Sequence, residues 1–169
     1  MPGVYIVRAE FGKYLTNFIR GGYVGIGLLP TIDFSAVENH DELFEIYERE
    51  HPGLANDLVI GRQLGQVERF LLKMRAGDYV ITPDVDTRMI HYGIIERNAS
   101  YYCFESVDGC FFPHRRRVRW NRKGIEETDF SVPFQRTVRS PQVVFQVSAE
   151  QNFLTVTREN IWFQEKAGR

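Results

Sequence analysis

The sequence predicts a mixed α+β domain in which helices flank a curled antiparallel sheet or small barrel. Two observations support this prediction. Short β-branched and aromatic runs bounded by Gly, Asp and Pro follow one another in the middle of the chain. Segments with apolar residues at spacings of three and four, typical of helices, precede these runs. Several short strands joined by polar turns favour a curved or closed sheet.

The central strands are predicted between Met74 and Trp120, in the runs 79–82, 89–95, 101–104 and 117–120. Gly93 interrupts the second run, which predicts a β-bulge or a close backbone approach there. Pro83 ends the first run, and the Gly77-Asp78 turn precedes it.

The N-terminal half supplies further elements. A strand is predicted over 4–7, a helix over 10–20 that ends at Gly21-Gly22, and a strand over 23–28. Gly25 and Gly27 alternate with apolar residues in that last strand. They indicate either a strand packed tightly under a helix or a backbone held open for a flat ligand. Helices are predicted over 41–50 and 56–74, with Gly61 and Gly65 as candidate break points in the second.

The chain is predicted to form one domain over residues 1–169, with the barrel at about 1–120 and a helix and strand extension at about 121–169. In the extension, a helix begins near Asp129 and a strand covers 143–147. The segment 152–162 carries both helix and strand signals.

Composition limits the possible functions. The 169 residues are 43% hydrophobic and 14% aromatic with a net charge of -1, so we expect a globular protein with a substantial core. Charge is unevenly distributed, because 38–50 is strongly acidic and 115–123 is basic without any acid. With no signal peptide and no apolar run of membrane-spanning length, a cytoplasmic protein without membrane contact is expected.

Signatures of catalysis are weak, so the sequence predicts a binding domain rather than an enzyme, with no catalytic residues, cofactor or metal. The four histidines lack metal spacing, and two cysteines give neither a disulfide framework nor a zinc set. Cys103 is expected to be an inert strand residue. One group of acids could imitate a nuclease site, but its members lie at turns, where aspartate is favoured for backbone reasons: Asp84, Asp86, Glu105 and Asp108.

Signatures of binding are stronger. Arg115, Arg116, Arg117 and Arg119 offer forked donors to phosphates, or else protect a strand edge from pairing. Tyr101 and Tyr102 alternate across a strand, so that one faces the core and the other can stack on a base or pack across strands. The loop after the glycine-rich strand contains Asp33 and Phe34, where the carboxylate either binds a base edge or forms an Asx-turn.

The order of these parts resembles the PUA-like superfamily, specifically its YTH and EVE branch. The resemblance is carried by Tyr5-Ile6-Val7-Arg8, Tyr23-Val24-Gly25-Ile26-Gly27-Leu28, Arg69-Phe70 with Met74 and Gly77-Asp78-Tyr79-Val80, Tyr92-Gly93-Ile94-Ile95, and His114 to Trp120. The chain is also similar to the N-terminal domains of Mrr-type and McrB-type restriction proteins, including the tail from Phe130 to Val147.

The resemblance implies a reader that takes one flipped, modified base into a pocket. It implies a base pocket formed by Ile26, Gly27, Leu28, Asp33, Phe34, Tyr101 and Tyr102, and backbone contacts from Arg8, Arg115, Arg116, Arg117 and Arg119. Such families often carry tryptophan at the end of the second strand, where this chain has Leu28, which indicates an aliphatic wall or a different ligand.

We therefore expect a DNA-binding module that recognises a modified base by base flipping, as the specificity domain of a restriction-modification or defence system. A nuclease or ATPase effector would be its partner. The alternatives are an RNA-binding reader, a stand-alone enzyme acting on nucleotides or nucleic acid, and a protein-interaction module.

Overall fold

Seven strands form one sheet in the computed structural model of the protein, which describes residues 2–54, 57–148 and 152–159. The strands are β1 (Val4–Val7), β2 (Tyr23–Ile26), β3 (Tyr79–Pro83), β4 (Met89–Tyr102), β5 (His114–Trp120), β6 (Ile125–Glu126) and β7 (Val144–Gln146). Their order is β2-β5-β4-β3-β1-β7, with β6 paired to β4. Within the described residues no pairing joins β2 to β7, so the sheet is open.

The mixed α+β class is confirmed, whereas closure into a barrel is not. Tyr5, Tyr79, Ile81, Ile94 and Val118 lie on neighbouring strands of this sheet, as expected. β1 pairs in parallel with β3, and the other pairings are antiparallel. The predicted strands 89–95 and 101–104 are one long strand whose register shifts between Ile95 and Ser100. The predicted bulge therefore lies after Gly93.

Gly93 marks a close approach of two backbones, which was the second structure predicted for this glycine. A Cβ atom at this position would lie 2.6 Å from the carbonyl oxygen of Arg119 on the adjacent strand. Any side chain would have to separate β4 from β5, which are paired from Gly93 to Ile95. Glycine is therefore required here for packing.

Helices cover both faces of the sheet. They are α1 (Leu15–Gly21), α2 (His40–Glu50), α3 (Leu58–Glu68), α4 (Val132–Val138) and α5 over 152–159. A π-helical turn, Arg69–Lys73, continues α3, so the regular helix ends there rather than at Gly61 or Gly65. A short 3-10 turn, Glu127–Asp129, precedes α4. Among the described residues, none of the helices combines the length and apolar character needed to cross a membrane.

Alternating residues of β1 enter two separate hydrophobic cores. Tyr5 and Val7 pack into the core beneath α1, α2 and α3, whereas Val4 and Ile6 pack into the core beneath α4 and α5. This alternation follows from the two-residue period of a strand buried on both faces. The segment after residue 120 supplies β6, β7 and much of the second core. The predicted C-terminal extension therefore contributes two strands to the sheet.

Candidate functional site

A cleft of about 760 Å³ opens where β1, β2 and β3 end. Residues 8–12 follow β1, Gly27-Leu28 follows β2, and 83–85 begins with the last residue of β3, so the cleft lies where the chain leaves three strands. The remaining walls come from Phe112 and from the segments on either side of α4. This volume lies in the range of small-molecule sites, about 300–1,000 Å³. The cleft is therefore a candidate ligand site.

Phe112 forms an aromatic wall of the cleft directly over Gly27. A Cβ atom at Gly27 would lie 2.7 Å from the Phe112 ring, and one at Gly25 would lie 3.2 Å from the Phe112 Cβ atom. Tyr14 packs edge-on against the same ring, with centroids 4.8 Å apart. The two glycines therefore make room for a flat ring, but that ring belongs to the protein. Of the two alternatives for this strand, tight packing is the one observed, and Phe112 is the residue that packs against the glycines.

Phe11 stands at the cleft with its side chain in solvent, 88% exposed. Its backbone is left-handed, with φ of 55°, between Glu10 at 49° and Gly12 at 90°. Non-glycine residues rarely adopt this region, and such conformations concentrate at functional sites. The sequence-based helix over 10–20 missed this turn, since α1 begins at Leu15. The available signal was the pair Phe11-Gly12, which follows shortly after the strand that ends at Val7.

Arg8 lines the cleft, but carbonyl oxygens hold its guanidinium group. Nη2 donates to the carbonyl oxygens of Val138 and Ser140, and Nε donates to that of Gln142 at 3.1 Å. Burial lowers the pKa of the Arg8 side chain. Arg8 therefore ties the end of β1 to the loop after α4, which shapes the cleft floor.

Arg116, predicted to contact phosphate, is fully buried instead. Nη1 donates to the carbonyl oxygens of Phe70 and Met74 at 2.8 and 2.9 Å, and Nη2 donates to that of Arg97 at 3.0 Å. The two Nη1 bonds satisfy carbonyl groups at the end of the π-helical turn, where the last carbonyl groups lack the usual intrahelical donors, and the Nη2 bond ties this turn to β4. Burial lowers the pKa of Arg116 to about 10. Arg116 is a structural residue, because no phosphate can reach it in this fold.

Arg115 is also buried and fastens the loop before β5. Its Nε and Nη2 atoms donate to the carbonyl oxygens of Phe112 and Cys110, both at 2.9 Å, and Nη2 reaches Asp108 at 3.4 Å. The guanidinium carbon lies 4.2 Å from the centroid of the Tyr23 ring. Like Arg116, Arg115 does not have the exposed position that the predicted phosphate contact requires. Its donors instead hold the loop that positions Phe112.

Arg117 and Arg119 are the exposed members of the predicted basic strand. They alternate with buried Val118 on β5, so both project from one side of the strand. The Arg117 guanidinium lies 5.1 Å from the Tyr101 ring centroid. These two residues retain the surface position that a phosphate contact requires.

The predicted base pocket is divided by the fold. Of its members, only Gly27 and Leu28 line the cleft. Ile26 and Phe34 have no exposed surface, so they belong to the core rather than to a pocket wall. Asp33 forms the Asx-turn that was the alternative to base binding, because its carboxylate accepts hydrogen bonds from Ser35 N at 2.8 Å and from Ser35 Oγ at 2.6 Å.

Tyr101 and Tyr102 lie apart from the cleft, and both are half-buried rather than divided into one core and one surface residue. Tyr102 Oη donates to the carbonyl oxygen of Pro30 at 2.6 Å. Its ring lies 5.5 Å from that of buried His114, which bonds the carbonyl oxygen of Leu29 through Nε2 at 3.0 Å. Burial lowers the pKa of His114. This tyrosine supports the loop after β2.

Two of the four acids considered for a nuclease site, Asp84 and Asp108, accept hydrogen bonds within their own turns. Asp84 accepts from the backbone N–H groups of Asp86 and Thr87, and Asp108 accepts from Tyr23 Oη at 2.5 Å and Cys110 N at 3.1 Å. In the described ranges, no group of three or more His, Cys, Asp or Glu side chains is arranged to hold a metal ion.

Sequence reasoning also missed three charged residues of the cleft, Arg88, Glu127 and Arg139. They are separated by up to 51 positions along the chain and belong to different elements. No local motif joins them, and only the pairing of β6 with β4 and the position of α4 bring them together.

A family model described as a domain of unknown function, DUF8426, matches residues 6–143. The match spans most of the chain, so the chain belongs to this family. No curated protein matches it. Rpa0253 from Rhodopseudomonas palustris, solved by NMR, is similar at 12% identity and a TM-score of 0.45, over 92% of this chain and 91% of that one. A hypothetical protein from Leishmania major is similar at 11% identity and 0.40, over 97% and 98%.

Proposed function

We propose that this member of the DUF8426 family is a nucleic-acid-binding module that receives one extruded, modified base of DNA in the cleft. The observation that carries the proposal is the cleft itself, with exposed Phe11 and the Phe112 wall at the ends of β1 and β2. Ligand sites are usually concave and lined by apolar and aromatic side chains, and a base must leave the helix to enter one.

Two exposed arginines support the same proposal from outside the cleft. Arg117 and Arg119 are available to contact phosphates. Contacts of this kind position a protein on the duplex without reading sequence, whereas the cleft reads the extruded base. The PUA-like resemblance in the order of sequence motifs supports this arrangement, and the finer, barrel-like form of the fold is part of the proposal.

The module would act by binding, with any cutting left to a separate nuclease or ATPase of a cytoplasmic restriction or defence system. The base site proposed here is the cleft rather than the expected pocket beside Tyr101 and Tyr102, because neither tyrosine lines the cleft. Gly27, Leu28 and Arg8 are the expected site residues that the cleft retains.

The experiment measures binding to short duplexes that carry different methylated and hydroxymethylated bases, at one salt concentration. Val85 lines the cleft and is 52% exposed, so Val85→Trp should narrow the cleft without disturbing the core. Val59, on α3, is 61% exposed and outside the cleft, and Val59→Trp is the matched control.

We expect one modified base to be preferred, with the preference reduced by Val85→Trp and kept by Val59→Trp. Equal affinity for all duplexes, or equal effects of both variants, would refute the proposal. Tighter binding of matched RNA would favour the RNA reader, and hydrolysis with added magnesium would favour the enzyme.

A further inference from the structure

Two arginines of the cleft share one buried carboxylate. Glu127 Oε1 accepts from Arg88 Nη2 at 3.1 Å and from Arg139 Nη2 at 2.9 Å. Arg88 Nε reaches Oε2 and Arg139 Nε reaches Oε1, both at 3.2 Å. Only 6% of the Glu127 side-chain surface is exposed, so its ionised form needs such donors.

The cluster carries more positive charge and more donors than Glu127 needs. Each guanidinium has five N–H groups and spends two of its nitrogen atoms on the carboxylate. The two side chains remain 57% and 58% exposed, and within the described ranges no other acceptor meets them. One arginine would compensate Glu127. The second leaves this three-residue cluster with a net positive charge and open donors.

The chain holds Arg88 at this position in an unfavourable backbone conformation. Arg88 has φ of 60°, in the region where glycine or asparagine is less costly. The Glu127 backbone N–H donates to the Arg88 carbonyl oxygen at 2.9 Å, so the two residues are joined through backbone and side chain. Such over-determined strain is typical of functional positions.

The other cleft acids have their own partners. The Glu10 carboxylate lies 3.5 Å from Lys13 Nζ, and Asp84 accepts backbone N–H groups of its own turn. Backbone N–H groups leave Asp84 ionised, so the feature that can hold an anion is the set of free donors on the exposed Arg88 and Arg139 rather than the net charge of the cleft. Guanidinium pairs of this kind match the geometry and charge of phosphate oxygens.

We propose that Arg88 and Arg139, oriented by Glu127, bind the phosphate of the nucleotide whose base enters the cleft. This inference rests on the proposed function for the identity of the ligand, while the anion site itself does not. A cluster that only fastens α4 to the β3–β4 turn would show no affinity for phosphate.

The first measurement is an NMR titration with inorganic phosphate, against sodium chloride at equal ionic strength. The Nε–H signals of Arg88 and Arg139 report directly, because Glu127 holds both groups. The test variant is Arg139→Gln, which leaves Glu127 paired with Arg88. The matched control is Arg136→Gln, on the exposed side of the same helix and outside the cleft.

We expect saturable shifts with phosphate in the wild type and the control, weakened about tenfold or more in Arg139→Gln. The second measurement compares 2′-deoxynucleosides with their 5′-monophosphates, where the preference for the monophosphate should disappear in Arg139→Gln alone. Shifts equal to those in chloride, or equal losses in both variants, would overturn the phosphate site.

The two proposals fail separately. If phosphate binds while no modified duplex is preferred, the anion site stands and the base-reading function is wrong. If a modified duplex is preferred but Arg139→Gln and Arg136→Gln bind it equally, the base-reading function stands and the phosphate site is wrong.

Discussion

Replacing Phe11 with alanine should separate binding from folding at the cleft. Phe11 is 88% exposed, so the folded protein gains little from its side chain. A phenylalanine presents about 150–250 Å², which leaves about 130–220 Å² in solvent. A base stacked on one face would cover about half of that area. At about 25 cal/mol per Å² the contact contributes about 1.6–2.8 kcal/mol, which corresponds to about 15- to 100-fold in affinity.

The assay compares affinities for modified and plain duplexes, with thermal unfolding measured on the same samples. Phe104 is the control, because it is 83% exposed and does not line the cleft. We expect Phe11→Ala to lose the calculated affinity for the modified duplex and to keep the wild-type melting temperature. If Phe104→Ala loses affinity instead, the base stacks near Tyr102, whose ring is 6.5 Å from that of Phe104. Wild-type affinity in both variants would refute stacking at either place.

Three further predictions test the arginines and one histidine. Arg116→Met should destabilise the protein by about 2–4 kcal/mol through unsatisfied carbonyls and lower its melting temperature by about 5–15 °C, whereas Arg117→Met should change neither; equal melting temperatures would contradict the structural role. Replacing Arg117 and Arg119 together with glutamine should weaken modified and plain DNA equally and reduce the salt slope by about 0.9 per contact, so an unchanged slope would exclude phosphate contact. Burial lowers the pKa of His114, so the unfolded chain takes up the proton first and the free energy of unfolding should fall as the pH drops below about 6.5. His114→Gln should reduce this fall when the free energy of unfolding is measured by urea titration at several pH values. Part of the fall should remain, because the pKa of His91 is also lowered and His91 is present in both proteins.

Helices and strands in which apolar residues recur at regular spacing could be predicted from the sequence. The helices now bounded as His40–Glu50 and Val132–Val138, and the strands now bounded as Tyr79–Pro83 and Val144–Gln146, follow the sequence closely. Their apolar spacing and flanking turn residues act locally. The sequence predicted two strands in place of the long strand β4 because residues 96–100 are mostly polar, although backbone pairing does not require apolar side chains. Helix α3 was extended too far because apolar periodicity does not separate an α-helix from a π-helical turn.

The site was less predictable, because it depends on what each side chain meets across the fold. An arginine that caps a helix and an arginine that faces solvent look identical in sequence, as Arg116 and Arg117 show. The prediction treated 115–119 as one patch, although strand alternation already assigns adjacent residues to opposite faces. Phe11 and Phe112 were missed because an aromatic residue beside a strand usually belongs to the core.

The distribution of arginines also constrains how this protein could bind DNA. The chain has a net charge of -1, and the arginines at 8, 115 and 116 are committed to carbonyl oxygens. If Arg117 and Arg119 alone contact the backbone, the salt slope is about -1.8, and the phosphate site would add about one further contact. So few contacts give weak affinity for plain DNA, because non-specific binding is almost entirely electrostatic. A useful affinity must then come from the cleft, and discrimination between modified and plain DNA should persist at salt concentrations that remove non-specific binding.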